Sequence, residues 1–126
     1  MQIFKLDHVN IRTTQLANMV AWYVDVLGLR SGARPNFPFG GAWMYAGDMV
    51  VVHLVEIDGA PAVGSETSLK LEHFAFTASD AAGFEARLTA TDTQFRKVVI
   101  DEIKTIAFNV WDPDGNHIHV DFPTDE

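Results

Sequence analysis

The sequence predicts an α+β chain built from two similar modules joined by a short linker, each running strand, helix, strands. Three observations carry this. Hydrophobic periodicity switches from two to 3.6 and back, twice and in the same order. One stretch, "DGAPAVGSETS" from Asp58 to Ser68, has linker composition and separates the two series. The motif "LDH", Leu6 to His8, returns as "LEH", Leu71 to His73, 65 residues later. The first module spans residues 1–57 and the second 69–126, one structural domain in total.

In the first module, Met1 to Arg12 reads as a strand, with Leu6, His8, Asn10 and Arg12 on one face and Val9 and Ile11 on the other. Leu16, Met19, Val20, Tyr23, Val24 and Leu27 then fall at helical spacing, with Thr14 as the expected N-cap and Gly28 as the stop. "RSGARPNFPFGG" is loop or irregular strand, and "AWMYAGDMVVVHLVE" is a hairpin turning near "AGD".

In the second module, "LKLEHFAFTAS" is a strand and "DAAGFEARLTAT" a helix with Ala81, Phe84 and Leu88 as its stripe. Strands follow around "FRKVVI" and "TIAFNVWD". "DPDG" then makes a tight turn into the last strand, "NHIHVDF". The 65-residue offset places Leu16 on Ala81, Met19 on Phe84 and Tyr23 on Leu88, so the helices align stripe on stripe.

Composition narrows the function. The chain has 126 residues, 48% of them hydrophobic and 21% charged, a globular balance that can bury a core. A net charge of −8 argues against nucleic acid and anionic membrane surfaces, which need basic patches. There is no apolar run long enough to cross a bilayer and no signal-peptide pattern at the start, so the cytoplasm is the expected compartment. The absence of cysteine excludes disulfides, thiolate nucleophiles and thiolate metal sites.

The histidines carry the functional reading. His8 and His73 are repeat partners, and His53 and His119, 66 residues apart, are a second pair. Four of five histidines therefore occupy two repeat-equivalent positions. Neutral imidazole is the commonest metal ligand, and a mononuclear site needs three or four ligands converging from different strands. Each of the four lies opposite apolar neighbours on its strand, so all four are expected to face away from the helices into a shared cavity.

Over essentially its whole length the chain resembles the vicinal oxygen chelate superfamily, the glyoxalase, bleomycin-resistance and extradiol-dioxygenase group. The residues that carry the resemblance are "LDHVNIRT", the helix ending "WYVDVLGL", the restart "LEHFAF" and the ending "DPDGNHIHVDF". It implies two paired βαβββ modules whose curved sheets form a central metal cavity, and one divalent metal ion (Zn, Ni, Fe or Mn). It also implies an oxygen-chelating small molecule as substrate, and a homodimer. His8 matches the family's first-strand histidine and His73 its second-module histidine. His53 stands where metal-binding glyoxalases usually carry glutamate or glutamine, and His119 where glutamate is most usual. An all-imidazole set is neutral and leaves the full charge of the cation in place, suited to an anionic chelating substrate.

The remaining candidates surround this set. His117 shares the face of His119 without a repeat counterpart; it is a catalytic candidate at the cavity rim, or a residue that orients a ligand ring. Asp121 and Asn10 are candidates to orient the ligand rings. Trp43 and Tyr45 share a strand face and are read as substrate-lining or as core. Arg12, or Arg34 in the loop, would neutralise a substrate carboxylate or form a surface salt bridge. "PNFPF" is read as a lid or dimer contact. The expected activity is metal-dependent isomerase, lyase or dioxygenase chemistry. The alternatives are a drug-sequestering protein like the bleomycin-resistance members, and a sensing subunit.

Overall fold

The structure, a computed structural model, describes residues 1–60, 67 and 70–126. Most of the expected linker 58–68 lies outside these residues, as does Leu69. The chain divides into two compact units, Met1–Ala62 and Val63–Glu126.

The first unit runs β1 (Val9–Thr13), α1 (Leu16–Asp25), β2 (Arg30–Gly32), β3 (Gly41–Ala46) and β4 (Met49–Glu56). Its sheet has the order β1-β4-β3-β2, with β1 parallel to β4 and the other neighbours antiparallel. Alternation decides the faces. Ala42, Met44, Val52 and Leu54 are buried, while Trp43 and His53, between them in sequence, turn to the opposite face. Met19 and Tyr23 of α1, both fully buried, pack on the apolar face. Burial of each such Leu, Val or Met side chain contributes roughly 1.5–3 kcal/mol.

Gly28 ends α1 as the sequence predicts. It adopts φ 71°, its N–H reaches the Val24 carbonyl at 3.0 Å, and Leu29 N–H reaches Tyr23 at 3.0 Å, closing a Schellman motif. Thr14 does not cap the helix. Gln15 is the N-cap, with no capping bond from its side chain, and Thr13 Oγ1 accepts from Gln15 N–H at 3.1 Å. The first strand is also shorter than expected. Its ladder with β4 begins at Val9 opposite Val52, and Met1 to His8 lie before it.

The second unit repeats the plan: β5 (Phe74–Thr77), α2 (Ala81–Ala90), β6 (Arg96–Ile100), β7 (Thr105–Trp111) and β8 (His117–Pro123), with one 3₁₀ turn at Asp101–Ile103. The sheet order is β5-β8-β7-β6, again with a parallel first pair. Both units are therefore βαβββ modules of identical strand order. The repeat reaches the register: Asn10 lies opposite His53, and Ala75 opposite His119.

The second core is aromatic. Phe84 of α2 meets Phe108 and Phe122 at ring-centroid distances of 5.4 and 5.5 Å, and Leu88 is fully buried beside them in the same helix. Asp80 caps α2 by accepting from Gly83 N–H at 3.0 Å. "DPDG" forms the expected turn: Gly115 N–H donates to the Asp112 carbonyl at 2.9 Å, and Asp112 Oδ1 accepts from Asp114 and Asn116 N–H. No helix among the described residues is long and apolar enough to cross a membrane.

Candidate functional site

Each unit brings two imidazoles face to face. His8, one residue before β1, stacks on His53 of β4 with ring centroids 3.8 Å apart and planes 11° apart. His73, one residue before β5, stacks on His119 of β8 at 3.8 Å and 7°. The parallel β1–β4 and β5–β8 ladders set this geometry, because each first strand is hydrogen-bonded to the strand that carries the second histidine. His8 and His73 are thus not strand residues, as the sequence had suggested, but lead-in residues just ahead of the ladder.

Burial of its ring, and then the nearby charge of His8, hold His53 below its ordinary pKa, with Asp7 pulling the other way. His119 is lowered by burial first and then by His73 and His117, against Asp121 and Glu72. Both pairs therefore favour at least one uncharged ring. A neutral imidazole offers a lone pair to a cation. The two sites are thus nitrogen-rich and partly open, with His8 and His73 side chains each 37% exposed. In the second unit, ring nitrogens of His73, His117 and His119 all lie within 4.8 Å of one another. This donor set fits a divalent ion of the imidazole-preferring kind.

Carboxylates stand directly behind the lead-in histidines. His8 Nδ1–H donates to Asp7 Oδ2 at 2.8 Å, and His73 Nδ1–H donates to Glu72 Oε2. The hydrogen bond from His8 holds the Asp7 carboxyl below its ordinary range, and the one from His73 does the same for Glu72. Sequence reasoning had turned to Asp121 and Asn10 for this role. Asp121 Oδ1 lies 3.9 Å from His119 Nδ1, beyond hydrogen-bond reach, and Asn10 is exposed on β1. The signal for Asp7 and Glu72 was present in the sequence: the repeat conserves an acidic residue before each histidine, "LDH" and "LEH".

His117 is the deepest of the five rings, its side chain 2% exposed. Its Nδ1 lies 3.0 Å from Glu72 Oε1 and its Nε2 2.8 Å from Asn109 Oδ1, both within hydrogen-bond distance. The amide of Asn109 is fixed in turn, because its Nδ2–H donates to the Arg96 carbonyl at 3.1 Å and Arg96 Nη2 donates to its Oδ1 at 3.3 Å. Trp111 stacks on the His117 ring at 5.1 Å. Both ring nitrogens are thus engaged within the protein.

Trp43 continues the first stack, 4.4 Å from His53 and directly opposite it in the β3–β4 ladder. An open cleft of about 420 Å³ is lined by His8, His53, Trp43, Asp7 and Lys5 among others. Tyr45 lies beyond a bulge at Met44/Tyr45, its hydroxyl donates to the Ala33 carbonyl, and the Arg30 guanidinium sits 4.7 Å over its ring. Arg12 is exposed on β1. Arg34 is held by its own loop: it donates to the Phe39 carbonyl at 2.8 Å and lies over the rings of Phe37 and Phe39, which stack at 5.1 Å.

Residues 5–120 match the model of the Glyoxalase/Bleomycin resistance protein/Dioxygenase superfamily. The chain belongs to this superfamily. The solved structures it resembles carry the same fold at low identity. A glyoxylase/bleomycin resistance protein/dioxygenase domain from Frankia sp. EAN1pec aligns with a TM-score of 0.81 at 18% identity, covering 97% of this chain and 99% of that one. Lactoylglutathione lyase from Agrobacterium tumefaciens aligns at 0.68 and 20%, covering 94% and 92%. A genomically encoded fosfomycin resistance protein from Listeria monocytogenes aligns at 0.70 and 12%, covering 98% and 96%. No curated protein matches the chain.

Proposed function

We propose that the chain is a small metal-dependent enzyme whose divalent ion, Zn, Ni, Fe or Mn, is held by histidines among His8, His53, His73 and His119. The observation that carries this reading is the duplicated imidazole pair, stacked at the same 3.8 Å in both modules with one ring of each pair held towards its neutral form. When bound, the ion would act as a Lewis acid, favouring an anionic form of an oxygen-chelating small molecule.

The chain's own residues do the rest. Trp43 gives the first pair a flat apolar wall against which a planar part of a substrate can lie. Arg12 and Tyr45 are retained as candidates to contact the substrate. His117 acts through Glu72, as a positioning residue, because both of its nitrogens are engaged within the protein. A donor set without carboxylate leaves the cation uncompensated, which favours isomerase or lyase chemistry of the Lewis-acid kind. The lactoylglutathione lyase and fosfomycin resistance protein among the similar structures are in keeping with such chemistry.

The test is thermal unfolding of metal-depleted protein with Zn, Ni, Fe or Mn added, compared with His73→Ala. Stabilisation of the native chain by at least one of these ions, lost in the variant, supports the reading. An equal response in both, or none in either, rejects it.

A further inference from the structure

We propose that Asp7 and Glu72 are positioning residues that fix the protons of His8 and His73 on Nδ1 and so leave Nε2 free as the ligand atom. For metal binding this rests on the reading above; for the ring protons it stands without it.

The geometry is the same in both modules. Each carboxylate belongs to the residue immediately before its histidine and accepts from Nδ1–H. A carboxylate can only accept, so the ring nitrogen it faces must carry the hydrogen, and a neutral ring then keeps its lone pair on Nε2. Without such a partner an imidazole exchanges between two tautomers, and only one suits a given ligand direction.

The two modules differ in how firmly the carboxylate is held. Asp7 is exposed and grips one ring. Glu72 is bidentate: Oε2 takes His73 and Oε1 takes His117, which is anchored by Asn109, itself tied to Arg96. A hydrogen-bonded chain thus runs from Arg96 on β6 through Asn109, His117 and Glu72 to His73. The first module has no counterpart. Trp43 stands at the repeat position of Asn109, and Val51 at that of His117. The second pair is therefore the more firmly oriented half, and His117 earns its burial by steadying Glu72.

Long-range ¹H–¹⁵N correlation spectra of the metal-free protein near pH 8 test this directly. Wild type should show His8 and His73 protonated on Nδ1. Asp7→Ala should release His8 alone, and Glu72→Ala should release His73, while Glu72→Gln, whose amide oxygen still accepts, should retain the Nδ1–H form. Protons on Nε2 in wild type, or rings indifferent to both alanine substitutions, would overturn the proposal. Zn²⁺ titration is the second arm. Each alanine variant should weaken binding by about 10- to 100-fold, the usual cost of an outer-shell partner, with Glu72→Gln closer to wild type. Ring protons that behave as stated in a protein that binds no Zn²⁺ would uphold the tautomer assignment and reject the metal reading alone.

Discussion

His119 lies flat against His73, ring centroids 3.8 Å apart and planes 7° apart, although 46 residues separate them in sequence. Two imidazoles at this distance cannot both be protonated without cost. The contact therefore links proton uptake to folding.

The first consequence is a pH dependence of stability. His53 and His119 have folded-state pKa values below the ordinary 6.5. Between those values and 6.5 the unfolded chain binds more protons, so stability rises with pH in that window. Their contribution is complete above 6.5 and is lost as the pH falls through the folded values. Asp7 and Glu72, also lowered, add a second loss at more acidic pH, below their ordinary 3.8 and 4.5. Urea unfolding of metal-free protein between pH 8 and pH 4 should show the midpoint falling below about pH 6.5. The double substitution His53→Gln, His119→Gln should flatten the upper part of that fall.

A second consequence is optical. Trp43 is stacked on His53 at 4.4 Å, so its emission should change when that ring binds a cation. Zn²⁺ titration should alter the tryptophan fluorescence of wild type, and Trp43→Phe should lose most of the change. A full response in Trp43→Phe would place the optical signal at Trp22 or Trp111 instead.

Core packing and site chemistry should separate. Leu88 of α2 is fully buried against the second sheet. Leu88→Ala should cost about 2–5 kcal/mol in chemical unfolding, through lost burial and the cavity left behind. Its effect on Zn²⁺ affinity in the folded protein should stay within a few-fold, since the leucine lies on the helix side of the sheet.

Exposed apolar side chains bear on assembly. Ile3, Phe4 and Leu6 before β1, and Val98, Val99 and Ile100 on the edge strand β6, are all exposed in the single chain. Edge strands of this kind are usually covered or blunted by charge. We expect a homodimer: light scattering should give twice the chain mass, and Val99→Lys should shift it towards the monomer. A wild-type chain that runs at its own mass would contradict this.

Much of the fold was legible because the repeat is written at several levels. The helix stripes, the "LDH" and "LEH" motifs and the histidine spacing all recur at nearly one offset, so each half supports the reading of the other. Gly28 was legible because a positive φ at a helix end favours one residue type. The start of β1 was not, since alternation in "MQIFKL" looks like a strand whether or not a neighbour exists to pair with it. The Thr14 cap failed because the helix starts one residue later than the threonine pattern suggests: Gln15 takes the N-cap position, and Thr13 Oγ1 accepts from its N–H. At the site, the repeat marked His8 and His73, and His53 and His119, as equivalent positions, but neither the stacking of His8 on His53 and His73 on His119 nor Glu72 bridging two histidines was legible. That bridge depends on where a flexible side chain settles between β5 and β8, which spacing alone does not encode.

The most direct test of the metal reading is equilibrium titration of metal-depleted protein with Zn²⁺ and Ni²⁺. The account predicts one ion per chain in wild type. Loss of either pair, His8→Ala with His53→Ala or His73→Ala with His119→Ala, should weaken binding by more than the roughly 100-fold reached by outer-shell changes. Undiminished binding after loss of either pair would contradict that pair's place among the ligands.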